Sequence, residues 1–102
     1  MPVWAFIDAL TGQAEEDALA LVKLVEERGN TLREPQSKAL GDGLYELRRN
    51  QVRIFYMFGP GRQVVTLLSG VMKKRKRIPP AEVRLARLYK AAIEAAEKVR
   101  AR

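Results

Sequence analysis

The chain contains no cysteine and no histidine. Without cysteine it can form neither a disulfide framework nor a thiolate metal site, a usage that fits a reducing cytoplasm. Without histidine it lacks both the commonest metal ligand and the commonest general base. Any catalytic reading must therefore be written without an imidazole. Long apolar runs are missing too. None approaches the roughly 20 residues that cross a bilayer, and the N-terminus lacks the basic-then-apolar pattern of a signal peptide. Neither an internal repeat nor a linker divides the sequence. Its 102 residues, 47% of them apolar, make one domain over residues 1–102 with a single modest core.

What the chain does have is charge, unevenly placed. Residues 1–70 carry 8 basic and 9 acidic side chains, whereas residues 71–102 carry 11 basic and 3 acidic. A cationic third on a near-neutral body is the electrostatic footprint of a protein that meets nucleic acid or an acidic partner. The sharpest feature is Lys73-Lys74-Arg75-Lys76-Arg77. Adjacent like charges repel and gain nothing unless an anion sits nearby. A solvated loop or a nuclear localisation signal is the plainer reading of such a run.

The local pattern predicts an N-terminal helical hairpin over residues 2–28. Pro2 opens the first helix, with Val3, Phe6, Ile7 and Leu10 at helical spacing. Thr11-Gly12 breaks it and caps a second helix, whose buried stripe is Ala18, Leu21, Val22 and Val25, with Glu15, Glu16 and Asp17 near its positive end. Gly29 is the natural stop. Residues 29–42 read as a polar connection containing Pro35. Three antiparallel strands follow, at 44–48, 52–58 and 62–68, the third apolar on both faces and read as central and covered. Pro79-Pro80 starts a last helix to about Arg100, with Val83, Ala86, Tyr89 or Lys90, and Ile93 facing inward.

Strand alternation sets Glu46 and Arg48 on one face, and Arg53 on the paired strand beside them. Charges that interrupt an apolar sheet need a reason, because burying one unpaired is costly. One reason is an open face that meets a polyanion, with Lys73 to Arg77 extending it. The other is a cross-strand salt bridge on a wet surface. The aromatics Tyr45, Phe55, Tyr56 and Phe58 read as core, although a base can stack on such a ring.

The segments Leu40 to Arg48, Val52 to Tyr56 and Leu67 to Lys74 resemble the HigB branch of the RelE-type toxins, which are halves of bacterial and phage type II toxin–antitoxin pairs. The likeness spans nearly the whole chain. It implies an α/β (α+β) RelE-like microfold with an antiparallel sheet, and ribosome-dependent cleavage of messenger RNA in the decoding site. It also implies neutralisation by a cognate antitoxin, often of helix-turn-helix type, through which the pair reaches operator DNA. Two departures stand out. Such toxins commonly begin with a further strand, so either a strand precedes Met1 or the sheet has three strands and an open edge. The position of Ser69 is often histidine in that group.

On that resemblance the chemistry is attack of a ribose 2′-hydroxyl on the adjacent phosphate. Glu46 is the general base, Arg48 and Arg53 hold the phosphate, and Lys73 or Lys74 protonates the leaving oxygen. Lys74, Arg75, Lys76 and Arg77 dock on RNA and the ribosome. No metal or cofactor is required, no membrane is involved, and the location is the cytoplasm. Two other readings remain open: a ParE-type inhibitor of DNA gyrase, and a non-enzymatic basic RNA-binding module. Trp4, on the first helix, is either core or a contributor to an antitoxin surface.

Overall fold

The computed structural model describes residues 2–32, 35–61, 64–74 and 78–100. Helix α1 runs Pro2–Asp8 and α2 runs Gly12–Arg28, so the expected helical hairpin is present. Thr11 takes the extended N-cap conformation but makes no side-chain cap bond. Gly29 ends α2 with φ 50°, and its N–H donates to Val25 O. That is the left-handed stop a glycine allows. A single 3-10 turn, Gly29–Thr31, leads out.

Four strands follow: β1 Ser37–Gly41, β2 Leu44–Arg49, β3 Val52–Phe58 and β4 Val65–Met72. Helix α3, Pro80–Arg100, closes the fold. The strands lie in the sheet in chain order, each antiparallel to its neighbour. The mixed α+β architecture is as expected, and two details of the sheet differ. The connection read over residues 29–42 contains a fourth strand, β1. Asp42 and Gly43, both with positive φ, turn β1 directly into β2, which is the two-residue hairpin that Asp-Gly favours. The strand expected to be central instead forms an edge, since β4 pairs only with β3. It is apolar on both faces because α1 packs on one and α3 on the other.

The sheet is thus the middle of three layers. Val3, Ile7, Ala18 and Leu21 of α1 and α2 pack on Leu47, Val52, Ile54 and Tyr56. On the opposite face Ala86, with Val83, Tyr89 and Ile93 of α3, covers Leu44, Phe55, Met57 and Leu68. Tyr45, Tyr56 and Phe58 form a ring cluster with centroids 5.0–5.6 Å apart, while Phe55 lies in the α3 core. Phe58, at the end of β3, is exposed and so is not core, contrary to expectation. Trp4 and Leu19 are exposed, so Trp4 is not core.

Gly70 holds α1 against β4. A methyl group there would overlap the Phe6 ring, so the close approach of helix and strand requires glycine. Gly70→Ala should therefore cost about 1–3 kcal/mol through overpacking, read as a lower urea midpoint. Combining it with Phe6→Leu should recover some of that loss, because the two changes act on one contact.

Candidate functional site

β2 and β3 bring the three expected residues onto the α3 face of the sheet. Arg48 lies directly opposite Arg53, and Glu46 lies opposite Phe55. Like charges face to face across a strand pair are destabilising, and Glu46 offsets this by reaching both. Its Oε1 is 3.3 Å from Arg48 Nε and 4.0 Å from Arg53 Nε. The expectation of an open face does not hold. Glu46 is 4% exposed and Arg53 9% exposed, and only Arg48 is half-buried. Alternation determines which face these residues share, whereas burial depends on the α3 core beside them.

The site is incompletely satisfied. Arg53 donates through one terminal nitrogen to Asn50 O at 2.7 Å and Val52 O at 2.9 Å, which anchors its guanidinium to the β2–β3 turn. Its Nε has no hydrogen-bond partner, and neither has Glu46 Oε2 nor Ser69 Oγ, all three atoms being buried. Most buried polar groups in native proteins are paired, so Glu46 Oε2 and Arg53 Nε retain unused hydrogen-bonding capacity on this face, as does Ser69 Oγ beyond Phe55. Burial lowers the pKa of Arg53, the nearby Glu46 carboxylate opposes that shift, and Arg48 adds to it. An arginine in this setting stays charged, so its desolvation is a standing cost that an anion would relieve.

A second network steadies the first. Asp17, buried on α2, accepts from Asn50 Nδ2 at 3.0 Å, Gln13 Nε2 at 3.0 Å and Arg49 Nε at 3.1 Å. The turn residue Asn50, with φ 51°, is thereby gripped by its side chain while its carbonyl accepts from Arg53. Helical position alone assigns Asp17 only a helix-dipole role; its burial arises from the packing of α2 on the turn. The hydrogen bonds from Asn50 and Gln13 hold its carboxyl below the usual range, outweighing burial, and Arg49 assists. A depressed folded-state pKa means that this stabilisation is complete above the unfolded value of about 3.9. It is lost as the pH falls through the lower folded value. In urea titrations between pH 2 and pH 6, Asp17→Asn should lie below the wild type at pH 6 and converge with it at the acid end.

Lys73 follows β4 and is half-buried. Its N–H donates to Gln51 O at 2.7 Å, which prolongs the β3–β4 ladder by one residue. Strand alternation then sets Lys73 on the face of Val71 and Arg53. Lys74 is exposed, while Arg75, Lys76 and Arg77 lie outside the described residues. Ser69 is 5% exposed and opposite Phe55. Phe55 therefore separates it from Glu46. Among the described residues no three acidic side chains gather into a metal-ligating group, and no helix is long and apolar enough to cross a membrane.

Residues 5–99 match the family described as phage derived protein Gp49-like (DUF891). No curated protein matches the chain. The family match covers nearly the whole sequence, and the chain belongs to that family.

Proposed function

We propose that this Gp49-like protein is the toxin of a type II toxin–antitoxin pair and a ribosome-dependent messenger RNA endonuclease. The observation that carries this reading is the buried Glu46 carboxylate beside Arg48 and Arg53, with one carboxylate oxygen and the Arg53 Nε left unpartnered. A phosphodiester supplies what both orphans lack. Arg53 Nε and the Arg48 guanidinium donate to its non-bridging oxygens, as arginine does to phosphate. Glu46 Oε2 accepts the proton of the attacking 2′-hydroxyl. The 2′-oxygen bonds to phosphorus, the 5′-oxygen leaves, and the products are a 2′,3′-cyclic phosphate and a 5′-hydroxyl end.

Lys73, on the same face, is the proposed donor of a proton to the 5′-oxygen. The pair of fixed guanidinium groups is best suited to stabilising the extra negative charge of the transition state. The ribosome contributes the in-line geometry of the RNA, and Lys74 with the rest of the basic run docks on ribosomal RNA. Action on translating ribosomes places the protein in the cytoplasm, where a cognate antitoxin would hold it inactive.

Primer extension on messenger RNA in a translating extract tests the reading. Strong stops inside codons, dependent on both the protein and active translation, are the expected result. Intact messenger with growth arrest would reject it and direct attention to gyrase. Intact messenger without toxicity would leave a basic RNA-binding module.

A further inference from the structure

Helix α3 carries a second apolar stripe that none of the described residues covers. Its inward residues, Val83, Ala86, Tyr89 and Ile93, pack on the sheet. Leu85, Leu88, Ala92, Ala95 and Val99 point away from it, and all five are exposed, Leu88 at 66% and Val99 at 73%. Their spacing alternates three and four residues, the a/d pattern of a helix–helix seam. At 3.6 residues per turn they fall within roughly 80° of arc, narrower than the apolar face of a helix that covers a core or lies in a membrane surface. Alanine at 92 and 95 lets a neighbouring backbone come close. Beside Ala92 opens a groove of about 350 Å³ lined by Pro2, Leu67, Leu68 and Ile93, which offers room for one large side chain.

From Arg84 to Val99 the charged residues at the seam's flanking e and g positions are all basic. In heptad terms Arg84, Ala91 and Lys98 occupy g and Tyr89 and Ala96 occupy e along the seam itself, while Glu82 takes the e position just ahead of Leu85. Of the other acids of α3, Glu94 and Glu97 lie off the seam's flanks, and Glu94 is paired with Lys90. Among the flanking residues from Arg84 to Lys98 a second copy of the chain finds no ion pair. Antiparallel pairing sets Arg84 against Lys98, and parallel pairing offers Arg84 only Tyr89. We infer that the outer face of α3 is a docking seam for an acidic amphipathic helix of another protein. Such a helix would place leucine-like residues in the seam, one bulky anchor in the groove, and glutamates or aspartates against Arg84 and Lys98. The seam lies on the side of α3 turned away from the Glu46 face, so it is independent of the nuclease reading.

The probe is a fluorescent synthetic helix of four heptads with leucine at a and d and glutamate at e and g, titrated with the full chain. Saturable binding is expected, roughly tenfold weaker to Leu88→Gln and to Leu85→Gln and absent for the same helix with lysine at e and g. Both substitutions are at exposed positions and leave messenger cleavage unchanged, so failure here is distinguishable from failure of the nuclease reading. Four results would overturn the seam. They are no binding, equal binding to wild type and Leu88→Gln, a wild-type dimer in sedimentation that Leu88→Gln dissociates, and Leu88-dependent pelleting with anionic vesicles.

Discussion

Glu46→Gln should lower cleavage of translated messenger RNA by about 10²- to 10⁴-fold, the range typical of losing a positioned general base. The amide keeps the shape of the side chain and can still accept a hydrogen bond, but it cannot take the 2′-hydroxyl proton. The same substitution also affects stability. Arg53 is nearly buried, and losing the carboxylate beside it leaves a desolvated charge. Breaking a buried pair from one side costs about 3–5 kcal/mol. Because Arg48 remains partly in water, the lower end, about 3 kcal/mol, is expected. The two measurements separate two roles. A purely structural carboxylate would shift the urea midpoint and leave the rate per folded molecule unchanged, whereas a base must change that rate. Single-turnover cleavage measured well below the unfolding transition decides between them.

Arg53→Lys should reduce cleavage by about 10²- to 10³-fold, comparable to removing a preorganised donor from an oxyanion site. Lysine keeps the charge but loses the Nε–H and the planar fork. It cannot both anchor to the carbonyls of Asn50 and Val52 and present a further donor to a phosphate. The deficit should fall mainly in kcat if the guanidinium acts on the transition state, and in KM if it only binds substrate. Arg53→Ala should be worse on both counts and less stable, because the Asn50 and Val52 carbonyls lose a donor. Full-rate cleavage by Arg53→Ala would remove this residue from the mechanism.

Much of the fold is legible in the sequence because its signals are local. Pro2, Gly29 and Pro80 mark helix boundaries, and the alternation in β2 and β3 assigns Glu46, Arg48 and Arg53 to their shared face. β1 escapes such a reading because Ser37-Lys38 looks polar and follows Pro35, which masks a strand of five residues. Asp42-Gly43 is the available signal, since that pair demands a tight hairpin and a hairpin needs a strand on both sides. The end of β4 is hidden for a related reason. The apolar run read as the third strand stops at Leu68, yet β4 continues to Met72, and Gly70 within it admits the Phe6 ring.

The candidate site is legible as a grouping but not as an environment. Spacing places Glu46, Arg48 and Arg53 together and cannot show that two of them are buried. Nor can it show that Asp17, in a helix far away in sequence, grips the turn to which Arg53 is tied. Those facts depend on tertiary packing, which no periodicity encodes. Ser69 offers no sequence signal, because a serine in an apolar strand is ordinary until its hydroxyl is found without a partner.

The order of the strands has a consequence for how the protein is made. A meander whose neighbours in space are neighbours in sequence has mostly short-range pairings, and such topologies collapse quickly. β1, β2 and β3 can assemble as each emerges from the exit tunnel. Helix α2 rests on β2 and β3, but α1 cannot finish so early, because the strand on which Phe6 rests is the last of the four. Synthesis runs at about 5–20 residues per second, so α1 waits several seconds with its apolar residues uncovered. The birth of this chain is thus held open until its first-made helix can dock on its last-made strand.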